Sequence, residues 1–114
     1  MSHLSILPTV LRDTEVLAAS LSDLGLEPLW GGRLRGFAGE SQAVELQVRI
    51  GSDLSLGWRR QRNGELALVG DLQRLSQNLQ LPPLLGRLTR RYAARLALKD
   101  VSNVLPTATV QLSC

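Results

Sequence analysis

The sequence predicts an α+β fold, with an antiparallel sheet of about five to six strands and helices packed on one face. Apolar and polar residues alternate strictly over residues 44–50 and 54–59, which is typical of strands with one buried face. The turn dipeptides Gly51-Ser52 and Asn63-Gly64 separate these two strands and a third over 65–69. Helices are expected before and after this meander. The predicted order is β-α-β-β-β-β-α-α-β.

The N-terminal part is predicted to hold a strand and a helix. Alternation over residues 4–6 indicates a first strand that ends near Pro8, which lacks the N–H that a central strand needs. A helix is expected over residues 13–24, because Asp13 can cap it and Gly25 follows it. Its leucines recur at helical spacing and predict a buried stripe.

A glycine-rich segment separates this helix from the meander. Residues 27–30 are a short strand candidate, and Gly31-Gly32 ends it. Residues 33–40 are predicted to be an irregular loop or a weak strand. Since two glycines precede this segment and two lie within it, we expect it to be the most mobile part of the chain.

Aromatic side chains are scarce at 4% of the residues, so the core must be mostly Leu and Val. Trp58 lies on the apolar side of its alternation and is predicted to be buried. Trp30 is expected to cover one end of the core. Phe37 either joins that cover or forms an exposed contact beside Arg33 and Arg35.

Two further helices and a last strand are predicted at the C-terminal end. Asp71 can cap a short helix over residues 71–79. Pro82-Pro83 ends it and favours a longer helix that starts there. Alternation over residues 107–112 predicts a final strand, which we expect to pair with the first strand.

Length and composition predict one domain, residues 1–114. The chain has one His and one Cys, too few for a zinc site, so no metal and no cofactor are expected. No phosphate loop or nucleophile motif is present, and we expect no catalytic residue in His3 or Cys114. No apolar run is long enough for a membrane span, and no leader is visible, which predicts a cytoplasmic protein.

Positive charge is concentrated at the C-terminal end. Residues 1–73 carry seven arginines against nine carboxylates, whereas residues 74–114 carry five arginines and one lysine against Asp100 alone. The long helix holds five cations, four of which recur every fourth residue: Arg87, Arg90, Arg91, Arg95 and Lys99. They either attract an anionic partner or form a solvated face, and the sequence favours neither alternative.

A second basic cluster is predicted at the tip of the Asn-Gly hairpin, where loops are accessible. It contains Arg59, Arg60 and Arg62. Binding of nucleic acid would favour aromatic side chains among these cations, and only the buried Trp58 is adjacent. The pair Arg33 and Arg35, with Phe37, is a third candidate binding surface.

Several short motifs together resemble one known family, and they span nearly the whole chain in order. They are Met1-Ser2-His3-Leu4-Ser5, Ser20-Leu21-Ser22-Asp23-Leu24-Gly25, Arg35-Gly36-Phe37-Ala38-Gly39, Leu56-Gly57-Trp58 and Arg91-Tyr92-Ala93. On these motifs the chain resembles the hypothetical chloroplast reading frame thirty-five family of cyanobacteria and algal plastids. The resemblance implies a protein of cyanobacterial cytoplasm or plastid stroma. It implies no established activity and no catalytic residues.

We therefore expect a non-enzymatic accessory protein of photosynthetic organisms that binds a protein partner through an arginine-rich surface. One alternative is a small basic domain that binds RNA or DNA. Another is a small-ligand-binding protein or enzyme with a pocket near the glycine-rich segment, which would use His3 or Tyr92. A homodimer through an uncovered sheet edge also stays open.

Overall fold

The structure is a computed structural model that describes residues 4–36, 39–50, 54–71, 74–75, 77, 79 and 81–104. The strands are β1 Leu4–Pro8, β2 Leu29–Trp30, β3 Arg33–Arg35, β4 Ser41–Ala43, β5 Leu46–Arg49, β6 Ser55–Arg60 and β7 Leu66–Asp71. The helices are α1 Thr14–Asp23 and α2 Leu81–Val104. The predicted α+β class is confirmed. The predicted final strand lies outside the described residues, as do four of the nine residues of the short helix predicted over residues 71–79.

Five strands form an antiparallel sheet in the order β1-β7-β6-β5-β2. The predicted meander is confirmed as β5, β6 and β7, with Leu46 opposite Trp58 and Val48 opposite Leu56. Strand β1 pairs with β7 along its length. The partner predicted for the first strand is the final strand, so that pairing also lies outside the described residues.

The main core lies between this sheet and the two helices. The period of two directs Leu46, Val48, Leu56 and Trp58 toward the helices, and each of them is at most 2% exposed. The helices complete the core with Val16, Leu17, Leu21, Leu81, Leu88 and Tyr92. Helices on one face of the sheet and a buried Trp58 were both predicted.

Helix α1 begins and ends as its sequence predicts. The side chain of Asp13 accepts a hydrogen bond from the backbone N–H of Val16 at 3.1 Å, which satisfies one of the free donors of the first turn. Gly25 follows the helix with a φ of 84°, a conformation that a residue with a side chain rarely adopts. Val16, Leu17, Ala18 and Leu21 make up the buried apolar side of this helix.

A second, smaller layer covers the opposite face of the sheet. Strands β3 and β4 pair with each other as an antiparallel ribbon. Strand β3 lies within residues 33–40, which the sequence predicted to be an irregular loop or a weak strand. Leu34 from the ribbon packs with Val44 and Val69, and all three are buried. Gly57 makes the close approach possible, because a Cβ atom there would lie 2.8 Å from Cγ1 of Val44.

Trp30 does not cover the core, so that prediction is wrong. Its side chain is 59% exposed, and its neighbour Leu29 is 57% exposed. Both residues form β2, a two-residue strand at the edge of the described sheet that pairs with Leu46 and Gln47 of β5. In the part of the chain that the structure describes, no helix is long and apolar enough for a membrane span.

Candidate functional site

The cations on one side of helix α2 are held by carboxylates of helix α1. We call Arg91, Arg95 and Lys99 the inner stripe. Nε of Arg91 lies 2.6 Å and Nε of Arg95 2.5 Å from Oδ2 of Asp23, and Arg95 also donates to Oδ1 at 2.8 Å. Nζ of Lys99 lies 2.5 Å from Oδ2 of Asp13. These three candidate binding residues therefore join the two helices while their side chains stay 39–50% exposed, and their part in binding stays a prediction.

The ion pairs change the acid–base behaviour of both carboxylates. Hydrogen bonds from Arg95 and Arg91 hold the pKa of Asp23 far below its usual value. Partial burial pushes the pKa of Asp13 upward, but the hydrogen bonds from Lys99 and from the N–H of Val16 outweigh it, so the pKa is lowered. The same contact with Asp13 raises the pKa of Lys99. Both carboxylates are therefore charged in the folded protein at neutral pH.

A different side of α2 faces solvent. Residues spaced by three and four along a helix share a face, and this rule places Arg87, Arg90, Ala94, Leu98 and Val101 together. We call these five residues the outer face. All are exposed, and Leu98 reaches 66%. Among the described residues, Arg87 and Arg90 form no ion pair.

The arginines of β3 stand on the exposed side of the ribbon. Arg33 and Arg35 are two residues apart on one strand, so they point to the same side, while Leu34 between them is buried. Nε of Arg33 donates to Oγ of Ser41 at 3.1 Å. Among the described residues, neither arginine of this β3 pair has a carboxylate partner.

The β3 pair lines a cleft of about 450 Å³. Other polar side chains at the cleft are Gln47, Ser55, Asp71 and Arg74. Its apolar lining comes from Leu4, Leu34 and Leu54. This cleft lies beside Gly36 of the glycine-rich segment, near which one of the alternatives from the sequence predicts a pocket.

The hairpin arginines do not act as one cluster. Nη1 of Arg59 donates to the side-chain oxygen of Gln42 at 2.8 Å. Arg60 pairs with Glu45 at 3.2 Å and donates to the backbone oxygens of Arg12 and Gly64 at 2.9 and 2.6 Å. Arg60 thus connects the hairpin to the segment before α1. Arg62 is exposed in the turn and, within the described residues, has no ion pair.

A family model described as a protein of unknown function, DUF1257, matches residues 20–104. The chain belongs to the DUF1257 family. The DUF1257 match contains the ribbon, the meander, the cleft-lining arginines and all of α2, whereas β1 and most of α1 precede it. Asp23 lies inside the match and Asp13 outside it. No curated protein and no solved structure shows a significant match to the chain.

The remaining candidate residues of this DUF1257 chain divide into two groups. Phe37, His3 and Cys114 lie outside the described residues. Tyr92 is buried, and its hydroxyl oxygen accepts the backbone N–H groups of Arg12 and Asp13 at 3.1 and 3.0 Å. Among the residues the structure describes, no three His, Cys, Asp or Glu side chains are grouped to hold a metal ion.

Proposed function

We propose that this DUF1257 protein is a non-enzymatic accessory protein of photosynthetic organisms that binds an acidic protein partner through the outer face of α2. The single observation that carries the proposal is the composition of this face. Exposed Arg87 and Arg90 without ion pairs are continuous with exposed Leu98 and Val101. The resemblance to the chloroplast reading frame family supports the photosynthetic context, in cyanobacterial cytoplasm or plastid stroma.

The outer face combines the two features that favour docking of a protein. Arginine is enriched at interfaces, because its planar guanidinium binds carboxylates through paired hydrogen bonds and is weakly hydrated. Leucine and valine on the same face supply apolar area that a partner can cover. Because the cations lie toward the N-terminal half and the apolar residues toward the C-terminal half, a partner needs carboxylates beside an apolar patch.

Four of the described polar groups act within the fold, and this supports a non-enzymatic function. Asp13 and Asp23 hold α2, Glu45 holds Arg60, and the hydroxyl of Tyr92 holds the segment before α1. An acid, base or nucleophile must reach a substrate with its reactive atom, and these atoms are directed at the protein itself. They serve the fold.

The test of this proposal is affinity capture from an extract of photosynthetic cells, with identification by mass spectrometry. The bait is the wild-type chain, the outer-face variant R87E/R90E, or the matched control R33E/R35E, which reverses two charges on the ribbon. We expect a partner that is retained by wild type and by the control and lost with R87E/R90E. A partner that binds all three baits equally would overturn the proposed face.

The retained protein is then purified and its affinity measured directly. Leu98→Lys and Val101→Lys should weaken binding at least about tenfold if the apolar half of the face is covered, since burial of one such side chain is worth about 1.5–3 kcal/mol. Unchanged affinity in both variants would show that the apolar residues do not contribute to binding and would contradict the proposal.

Binding of nucleic acid stays an alternative. It would use the basic residues as phosphate contacts, and affinity would fall steeply with salt because each neutralised phosphate releases a counterion. Ion pairs occupy the inner stripe and Arg60, which leaves Arg62, Arg87 and Arg90 more accessible. Retention of RNA or DNA at physiological salt, lost in R87E/R90E, would favour this alternative over a protein partner.

A homodimer through a sheet edge also stays a prediction. The uncovered Leu29 and Trp30 on edge strand β2 favour that edge. Sedimentation of wild type and Trp30→Glu compares the two states: a dimer that dissociates in the variant supports the prediction, and a wild-type monomer excludes it.

A further inference from the structure

We infer that the cleft beside β3 is a binding site for a small phosphate ester. Arg33 and Arg35 bind its phosphate, and Gln47, Ser55 and Asp71 contact the hydroxyl groups of its body. This site is separate from the outer face of α2, so it goes beyond the protein-binding function proposed above.

Charge is the first argument. On a strand, alternate residues lie roughly 7 Å apart, so the β3 pair places two like charges side by side. Their cross-strand neighbours are Ala43 and Ser41, which bring no negative charge. Two exposed like charges at this spacing repel each other weakly, and a bound anion offsets that repulsion. Asp23 offsets the charges of two α2 arginines, whereas among the described residues no carboxylate pairs with the β3 arginines, so an anion from solution would meet two guanidinium groups without an ion pair.

The chemistry of the cations favours phosphate. Guanidinium groups present N–H donors in a fixed fork, and two such forks on one face can hold several oxygens of a single phosphate. Arg74 also lines the cleft. A doubly charged phosphate monoester is a better match for this arrangement than a singly charged carboxylate.

The size of the cleft allows more than an inorganic anion. Its volume of about 450 Å³ is within the range of small-molecule sites, roughly 300–1,000 Å³. A phosphate group fills only part of such a space. The remainder is lined by polar side chains and by Leu4, Leu34 and Leu54, which can accommodate a body with hydroxyls and an apolar side.

The polar lining is arranged to accept hydrogen bonds. The amide nitrogen of Gln47 donates to the backbone oxygen of Gly31 at 2.9 Å, which fixes the side chain and leaves its oxygen as an acceptor. One carboxylate oxygen of Asp71 accepts the backbone N–H of Arg74 at 3.2 Å. Its second oxygen makes no hydrogen bond within the described part of the chain. A carboxylate repels phosphate and accepts from hydroxyls, so Asp71 orients the ligand with its phosphate toward β3.

Packing holds the phosphate-binding strand in place. Leu34, between the two arginines, is 3% exposed and anchors β3 against the sheet. Gly36 at the end of β3 lets the ribbon approach β1, since a Cβ atom there would lie 2.8 Å from Cγ of Leu4. A site whose backbone is fixed before binding loses less conformational freedom when the ligand arrives.

The test is an amide NMR titration of the full chain with inorganic phosphate, ribose 5-phosphate and a short RNA. We expect the amide resonances of the β3 pair, Gln47 and Ser55 to shift when ribose 5-phosphate is added. The same resonances should shift with inorganic phosphate, but with a lower affinity. Arg33→Gln and Arg35→Gln should each weaken ribose 5-phosphate binding about tenfold or more. The matched variants Arg87→Gln and Arg90→Gln should bind as wild type does.

Arg35→Lys is the control for misfolding, because lysine keeps the positive charge and lacks the paired N–H donors of the guanidinium group. It should retain the wild-type spectrum and bind more weakly. The proposal is overturned if millimolar ribose 5-phosphate produces no shift, or if shifts of equal size spread over the arginines of α2. It is also overturned if RNA binds at the cleft far more tightly than both small phosphates, which would identify a nucleic-acid site.

Discussion

Two groups of cations in this molecule differ in what surrounds them. The inner stripe of α2 is conspicuous in the sequence, yet carboxylates of α1 hold all three of its cations. The β3 pair lies in a segment with little periodicity, yet its arginines face solvent and a cleft. The density of charge along a chain therefore does not indicate which cations are available to a ligand.

The difference arises from the neighbours that the fold supplies. Helix α2 lies beside α1, where a carboxylate near each end of α1 meets a cation. Strand β3 has β4 as its partner, and the residues opposite its arginines are Ala43 and Ser41. The four predictions that follow test the contacts in these two parts of the molecule, beginning with the largest expected effect.

The ribbon depends on the absence of a side chain at Gly57. In Gly57→Val the new side chain must displace Val44, whose branched side chain cannot move far, and we expect the free energy of unfolding to fall by about 3 kcal/mol. Urea unfolding measures this loss. As a control, Gly86→Ala in α2 meets only ordinary contact and should raise stability by up to about 1 kcal/mol. Equal stability of Gly57→Val and wild type would contradict the close packing of the ribbon.

The junction of the two helices depends on the hydroxyl of Tyr92. Phenylalanine at this position leaves the N–H groups of Arg12 and Asp13 without their acceptor, and we expect a loss of about 2 kcal/mol. Thr89→Ala removes another hydroxyl from α2, one that is exposed, and should change stability by less than about 0.5 kcal/mol. If the two variants lose equal stability, the Tyr92 contact does not hold the junction.

Some parts of this fold could be predicted from the sequence and others could not. The meander and α1 could be predicted, because alternation over residues 44–59 and the cap at Asp13 are local signals. The ribbon could not, since strands of three residues are too short to show a period. The partners of the inner stripe were missed because they precede it by some seventy residues, as with Arg91 and Asp23, which are 68 positions apart. The burial of Trp30 was predicted wrongly because its position at the edge of the sheet depends on the order of the strands, which the sequence does not show.

The inner stripe should make stability depend on pH. Since the pKa of Asp23 is lower in the folded chain than its usual value of 3.8, its contribution is fully present above that value and is lost as pH falls through the folded pKa. Asp13 contributes in the same direction. We expect thermal stability to fall more steeply below pH 4 in wild type than in Asp23→Asn. Glu27→Gln, which removes an exposed carboxylate, should keep the wild-type profile, and a similarly flattened profile in it would contradict the assignment to Asp23.

Neutralising the arginines of the inner stripe and neutralising the β3 pair should have different effects on stability. Arg91→Gln with Arg95→Gln removes two donors from Asp23, so the urea midpoint should fall. Arg33→Gln with Arg35→Gln removes a repulsion and should leave the midpoint unchanged or slightly higher. Both effects are expected to be small, because the side chains are partly exposed. A clear loss of stability in the β3 variant would mean that the fold itself needs these cations.

The most direct measurement is NMR of the arginine Nε–H groups while inorganic phosphate is added. The central claim is that the inner stripe is held by the fold, whereas the β3 pair is available to a ligand. It predicts that Nε–H resonances of Arg33 and Arg35 shift on addition of phosphate, while those of Arg91 and Arg95 keep their positions and stay protected from exchange with water. Parallel shifts of all four resonances, or shifts confined to α2, would contradict it.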